Sequence, residues 1–259
     1  MTQQTNPTAV NLLNKVPEIT IFFWIVKLLT TAMGESTSDF LVFKINPYIA
    51  VTLGGVGLVI ALLLQFSVRR YVAWIYWLAV VMVAVFGTMA ADVIHVRFGV
   101  PYAVSTVGFA IVLAAVFITW YRVEGTLSIH SINTTRRELF YWATVLATFA
   151  LGTAAGDMTA YTFHLGFFSS ALLFAAAISV PALAFRFTGL DAIAAFWCAY
   201  VLTRPLGASL ADWMGTPHKL GGLNWGRGNV SIGLTLLIVV GVALLARTRR
   251  APVSTEVNA

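Results

Sequence analysis

Charge is scarce in this 259-residue chain: 10% of its residues are Asp, Glu, Lys or Arg, and only ten are acidic. A soluble domain needs a charged surface. So little charge beside 59% hydrophobic residues excludes that class and points to a multipass membrane protein. A single cysteine, Cys198, excludes an internal disulfide and any cysteine-rich metal centre. The basic-then-apolar layout of a cleavable signal peptide is missing from the N-terminus, so none is expected. No Gly-x-Gly-Asp, His-Glu-x-x-His or serine-elbow motif occurs either. That removes the usual signatures of intramembrane and metal-dependent hydrolases.

What the chain does have is long apolar runs, near 18–40, 47–66, 71–92, 101–121, 138–157, 166–185, 189–212 and 229–246. They predict eight transmembrane helices in an all-α membrane protein, with polar, disordered ends at 1–14 and 251–259. The net charge of +6 is a matter of topology and lipid contact, and no nucleic-acid partner is expected. Lys15, Arg69, Arg70, Arg122, Arg136, Arg137, Arg186, Arg247, Arg249 and Arg250 fall on one side of the predicted spans, against Lys44, Arg97, Lys219 and Arg227 on the other. Ten against four places both termini in the cytoplasm.

Four of the ten acids recur in one register. A tryptophan preceded by an aromatic is followed ten residues later by glycine and fifteen later by aspartate. The instances are Phe23-Trp24…Gly34…Asp39, Tyr76-Trp77…Gly87…Asp92, Tyr141-Trp142…Gly152…Asp157 and Phe196-Trp197…Gly207…Asp212. Each motif helix is followed by a plainer apolar helix. The spanning domain, 15–250, is therefore read as four tandem helical hairpins, about 15–68, 69–122, 136–186 and 187–248. All four have one orientation, so their pseudo-symmetry axis runs along the membrane normal. The motif helices are expected around a centre, with the second helices outside.

The spacing separates two helix faces. Positions six, ten and fourteen after each tryptophan share a face, and small residues there let helices approach closely in lipid. Gly34, Gly87, Gly152 and Gly207 are accordingly read as helix-packing residues. Positions three, seven, eleven and fifteen form a second, polar stripe ending in each aspartate. Its first-helix version is Lys27-Thr31-Glu35-Asp39, its seventh-helix version ends Arg204-Ala208-Asp212, and Thr88-Asp92 and Thr153-Asp157 complete it. Tryptophan to aspartate spans ~22 Å at ~1.5 Å per residue. The aspartates then lie in the outer half of a ~30 Å hydrocarbon layer.

Intramembrane carboxylates are costly and usually functional. Asp39, Asp92, Asp157, Asp212 and Glu35, with Thr31, Thr88 and Thr153, make an oxygen-rich ligand set suited to Mn²⁺, Mg²⁺ or Ca²⁺. Lys27 and Arg204 are expected as counter-ions to these carboxylates, with a coupling role if a transported ion displaces them. At the tryptophan end, Glu18, Asp191, Arg70 and Arg136 suggest salt bridges between repeats.

The first repeat, Phe23-Trp24-Ile25-Val26-Lys27-Leu28-Leu29-Thr30-Thr31-Ala32-Met33-Gly34-Glu35-Ser36-Thr37-Ser38-Asp39, resembles the signature of a bacterial multipass family described only as uncharacterised membrane-anchored proteins. The resemblance covers all four hairpins. It implies a bacterial inner (plasma) membrane location and carries over no catalytic residue.

The resulting expectation is a transporter or channel for a cation, a divalent metal such as Mn²⁺, coupled to protons. It would have no covalently bound cofactor, and its partners would be membrane lipids and the transported cation, with homo-oligomerisation left open. An intramembrane metal- or aspartate-dependent enzyme is the alternative, though four equivalent positions suit hydrolysis poorly because it needs distinct acid and base roles. A structural scaffold, its aspartates holding helices together, is the third reading.

Overall fold

A chain crossing lipid has to satisfy its backbone hydrogen bonds internally, and each apolar run does so as a helix. The computed structural model describes residues 14–248. The expectations for residues 1–13 and 249–259, Arg249 and Arg250 among them, lie outside the described residues. Eight long helices follow one another: α1 Ile21–Lys44, α2 Pro47–Ser67, α3 Ala73–Asp92, α4 Tyr102–Glu124, α5 Thr135–Asp157, α6 Gly166–Thr188, α7 Ala192–Gly215 and α8 Arg227–Thr248. Among the described residues there is no strand. Seven of these helices are long and apolar enough to cross a membrane. The exception is α1, which carries Lys27, Glu35 and Asp39. The protein is an all-helical, multipass membrane protein.

The helix starts are locally encoded. Thr20, Asn46, Thr134 and Asp191 each accept a backbone N–H from the first turn of α1, α2, α5 and α7. At the other end, α3 and α5 do not stop at their aspartates. They run on through π-helical turns, Val93–Arg97 and Met158–Thr162.

The motif helices α1, α3, α5 and α7 close a ring, each packed on the next and α7 back on α1. One register repeats around it. A Cβ on Gly34 would come 2.5 Å from Ala84 Cβ, and one on Gly87 would come 2.8 Å from Phe149 Cβ. A Cβ on Gly152 would overlap the Arg204 side chain, and one on Gly207 would overlap Thr31. Position ten of every motif thus receives position seven of the next, and the fourth receives the first.

The second helices lie outside this ring, but as packing units the hairpins are displaced by one helix. Helix α2 rests mainly on α3, α4 on α5, α6 on α7, and α8 on α1. Every second helix therefore covers the motif helix of the following repeat. The last one returns to the first, which ties the two ends of the chain together.

The aromatic pairs close one end of the ring. Phe23 meets Trp77 at 5.8 Å between ring centroids, Tyr76 meets Trp142 at 5.6 Å, Tyr141 meets Trp197 at 6.2 Å, and Phe196 meets Trp24 at 5.6 Å. Trp77, Trp142 and Trp197 are buried and Trp24 is half-buried. They pack the interior instead of anchoring the chain at a lipid interface, because the tilted ring contacts are satisfied only between helices. Within this collar the Tyr76 and Tyr141 hydroxyls share a hydrogen bond of 2.5 Å. Tyr76→Phe takes that partner from the buried Tyr141 hydroxyl, and stability falls by about 1–2 kcal/mol. Removing both hydroxyls costs less than the two single changes summed. Thermal unfolding of the purified single and double variants reads this, and strictly additive losses would contradict it.

Below the collar, Lys15 is a buried ion-pair partner, not a surface charge. Its Nζ lies 2.5 Å from Glu138 Oε2, whose Oε1 accepts from Gln65 Nε2 at 2.9 Å. The salt bridges expected between repeats at this end form differently. Arg136 and Arg137 both pair with Glu124, close to them in the chain. Asp191 instead accepts the N–H groups of its own helix.

Candidate functional site

Four layers stack along the inside of the ring, one helical turn apart, because positions three, seven, eleven and fifteen share a helix face. Nearest the collar come Lys27, Val80, Val145 and Tyr200, then Thr31, Ala84, Phe149 and Arg204. Glu35, Thr88, Thr153 and Ala208 follow, and Asp39, Asp92, Asp157 and Asp212 form the rim. The first three layers are buried throughout, whereas all four aspartates are half-buried. The interior is closed at the tryptophan end and partly accessible at the aspartate end.

Arg204 joins the middle layers. Its Nη2 donates to Glu35 Oε2 at 2.5 Å, to Thr153 Oγ1 at 2.7 Å, and to Thr88 Oγ1. One guanidinium on α7 thereby reaches α1, α5 and α3. Gly152 makes this reach feasible, since any side chain there would occupy the space of Arg204 Cβ and Cγ. The two threonines also donate within their own helices, Thr88 to Ala84 O at 3.0 Å and Thr153 to Phe149 O at 3.2 Å. Thr31 is used differently: its hydroxyl donates to Leu28 O at 2.6 Å and lies 3.3 Å from Thr203 O, against Gly207. It belongs to the helix contact, not to the carboxylate cluster.

Arg204 thus has the carboxylate partner expected of it, and Lys27 does not. Lys27 Nζ stands 4.2 Å from the centroids of both the Phe149 and Tyr200 rings, with no hydrogen-bond partner among the described residues. The counter-ion reading of Lys27 is therefore corrected. Glu35 is two turns away on the same helix, and rings from α5 and α7 fill the space around the ammonium group.

At the rim, Asp39 Oδ2 accepts from Arg227 Nε at 2.5 Å. Among the described side chains, which do not include those of residues 96 and 97, no basic group pairs with Asp92, Asp157 or Asp212. These three lie within electrostatic range of Glu35. They nevertheless do not meet as ligands. Among the described residues no three of His, Cys, Asp and Glu form a group that could hold a metal ion. A single inner-sphere metal site built from Asp39, Asp92, Asp157, Asp212 and Glu35 is thus not formed. Glu35 and Asp39 are also already engaged by arginines.

The partner of Asp39 at the rim, and the buried acid below the collar, were not assigned from the sequence. Arg227 meets Asp39 across 188 positions, and no periodicity links them. Glu138 carried a usable signal: an acid four residues before a motif tryptophan, in a chain with only ten acids.

A family model described as a repeat of unknown function, DUF347, matches this chain four times, at residues 22–71, 75–126, 140–190 and 195–251. Each match begins beside a motif tryptophan. No curated protein and no solved structure matches the chain.

Proposed function

Because the chain belongs to the DUF347 repeat family, whose name assigns no activity, its chemistry has to come from its own residues, and we propose that it is a proton-coupled cation transporter or channel of a bacterial inner membrane. In this reading all eight helices span, α1 included. Its charges face the ring, where Arg204 and aromatic faces receive them, so lipid meets only its apolar side. Four repeats of one orientation surround an axis along the membrane normal. The excess of basic residues puts the tryptophan end and both termini in the cytoplasm and the aspartate rim outside.

The observation that carries the proposal is the buried Glu35–Arg204 tie directly beneath four half-buried carboxylates. The rim concentrates cations, and the tie closes the way beyond it. A cation that competes for Glu35 would release Arg204, which loosens a contact common to all four motif helices. A divalent cation such as Mn²⁺, Mg²⁺ or Ca²⁺ that keeps part of its water shell suits carboxylates that form no shared inner-sphere site.

Mn²⁺ uptake into liposomes holding the purified protein, under an imposed pH gradient, tests this. Asp92→Asn, Asp157→Asn and Asp212→Asn are each expected to slow uptake by at least about tenfold, ~1.4 kcal/mol. Wild-type rates in all three variants would remove the carboxylates from the transport path. Loss of thermal stability without loss of transport would favour a scaffold.

A further inference from the structure

Residues 14–20 lead into α1 and form neither helix nor strand, yet the first four, Asn14 to Pro17, are buried. Glu18 and Thr20, next to the helix, are exposed. Backbone bonds hold the buried end: Tyr71 N donates to Asn14 O at 3.1 Å, and Lys15 N donates to Ile132 O at 3.0 Å. Val16 is 1% exposed and belongs to the same hydrophobic core as Tyr76, Trp77 and Tyr141 of the collar. The segment is thereby docked on the two connections that enter α3 and α5.

Lys15 fixes that end to α5 through Glu138, and its Nζ lies 3.5 Å from Phe66 O at the end of α2. The segment then runs to α1, which stands opposite α5 in the ring, since α1 and α5 each pack on both α3 and α7. On the way Ile19 borders a cleft together with Ile129 and with Phe196 of α7. Residues 14–20 are therefore a strap across the tryptophan end, in reach of all four motif helices. Its hold is incomplete. Asn14 Oδ1 and Gln65 Oε1 are buried with no hydrogen-bond partner among the described residues, and such atoms regain a partner when water reaches them. A buried ion pair also repays little of the hydration its charges give up. Releasing Lys15 and Glu138 to water together thus costs far less than breaking one from the other inside the fold.

We propose that residues 14–20 are a strap latched by Lys15 and Glu138, and that the tryptophan end of the ring opens only when this strap lifts. The collar joins neighbouring helices, whereas the strap joins opposite ones, so α1 and α5 cannot part while it is docked. The exposed stretch from Glu18 to Thr20 is where it would swing. This rests on the transport reading, in which cargo has to pass the tryptophan end, and adds the element that keeps that end shut.

Thiol labelling of the purified full-length protein by a small water-soluble methanethiosulfonate tests this without any transport step. In a Cys198→Ser background, Val80→Cys puts a probe in the layer nearest the collar and Met89→Cys puts one at the far end of α3, both at sites 0% exposed. Lys15→Met combined with Glu138→Gln removes the latch and leaves no unpaired charge. It is expected to speed labelling of Val80→Cys by about tenfold or more while Met89→Cys stays slow. Unchanged labelling of Val80→Cys overturns the proposal. So does an equal rise at both probes, which would mean general loosening. If the latch variant fails to fold, hydrogen exchange of the unaltered protein, followed by nuclear magnetic resonance, decides the matter. The amides of Lys15 and Tyr71 should exchange through a local opening, well before that of Val83. Exchange of all three only as the whole bundle unfolds would make the strap a fixed part of the fold, and the proposal falls. Absence of Mn²⁺ uptake with the labelling pattern intact would instead remove the transport reading and leave the latch standing.

Discussion

Arg204→Met lowers the stability of the folded protein by about 3–5 kcal/mol, the loss expected when one partner of a buried ion pair is removed. The cost comes less from the lost attraction than from what is left behind. Glu35 is 4% exposed, and without Arg204 its carboxylate retains only the Thr88 hydroxyl, 3.5 Å from Oε2. A charge with so little compensation in a low-dielectric interior is strongly penalised. The Thr88 and Thr153 hydroxyls lose a donor at the same time, so α3 and α5 are untied from α7 together. Combining Arg204→Met with Glu35→Gln should recover most of the loss, since no unpaired charge then remains. Unfolding of the detergent-purified single and double variants measures this directly. A double variant as unstable as Arg204→Met would show that the arginine acts through packing against Gly152 alone.

Gly207→Val is the second large effect, about 3 kcal/mol. A Cβ at Gly207 would overlap the Thr31 side chain and stand 3.0 Å from Ala32 N, which is backbone and has no rotamer to escape into. Helix α1 would have to withdraw from α7 at the contact that closes the ring. Gly233→Val is the control. Nothing lies within 4 Å of a Cβ there, and a surface change away from contacts stays within about 0.5 kcal/mol. Both substitutions put the same β-branched residue into a helix interior, so intrinsic propensity cancels between them. Equal melting temperatures would show that the motif glycines are not contact points.

The fate of individual residues shows how far the sequence could be read. The glycines lay on a face predicted from their four-residue spacing with neighbouring small residues, because helical periodicity is a local property. What meets each glycine is not local: Ala84, Phe149, Arg204 and Thr31 are unlike one another, and only their shared position in the motif unites them. Glu35 and Arg204 stood out as intramembrane charges on one stripe. Which of five carboxylates would take the arginine depended on its reach from a neighbouring helix. Lys27 looked equivalent to Arg204, yet it faces two aromatic rings and no carboxylate. Arg227 counted only as one of four basic residues on the side opposite the basic excess, yet it partners Asp39.

By itself the sequence determined the multipass class, the helical segments and the recurrence of one motif, because low charge, apolar length and a fixed period act through lipid exposure and helix geometry along a single segment. Only the tertiary structure decided that each second helix covers the next repeat, that Arg204 ties four helices while Lys27 stands apart, and that the aspartates form a rim instead of one metal cage. Those outcomes depend on distances between helices far apart in the chain. Packing of glycine faces sets those distances for the ring as a whole, and no single repeat contains that information.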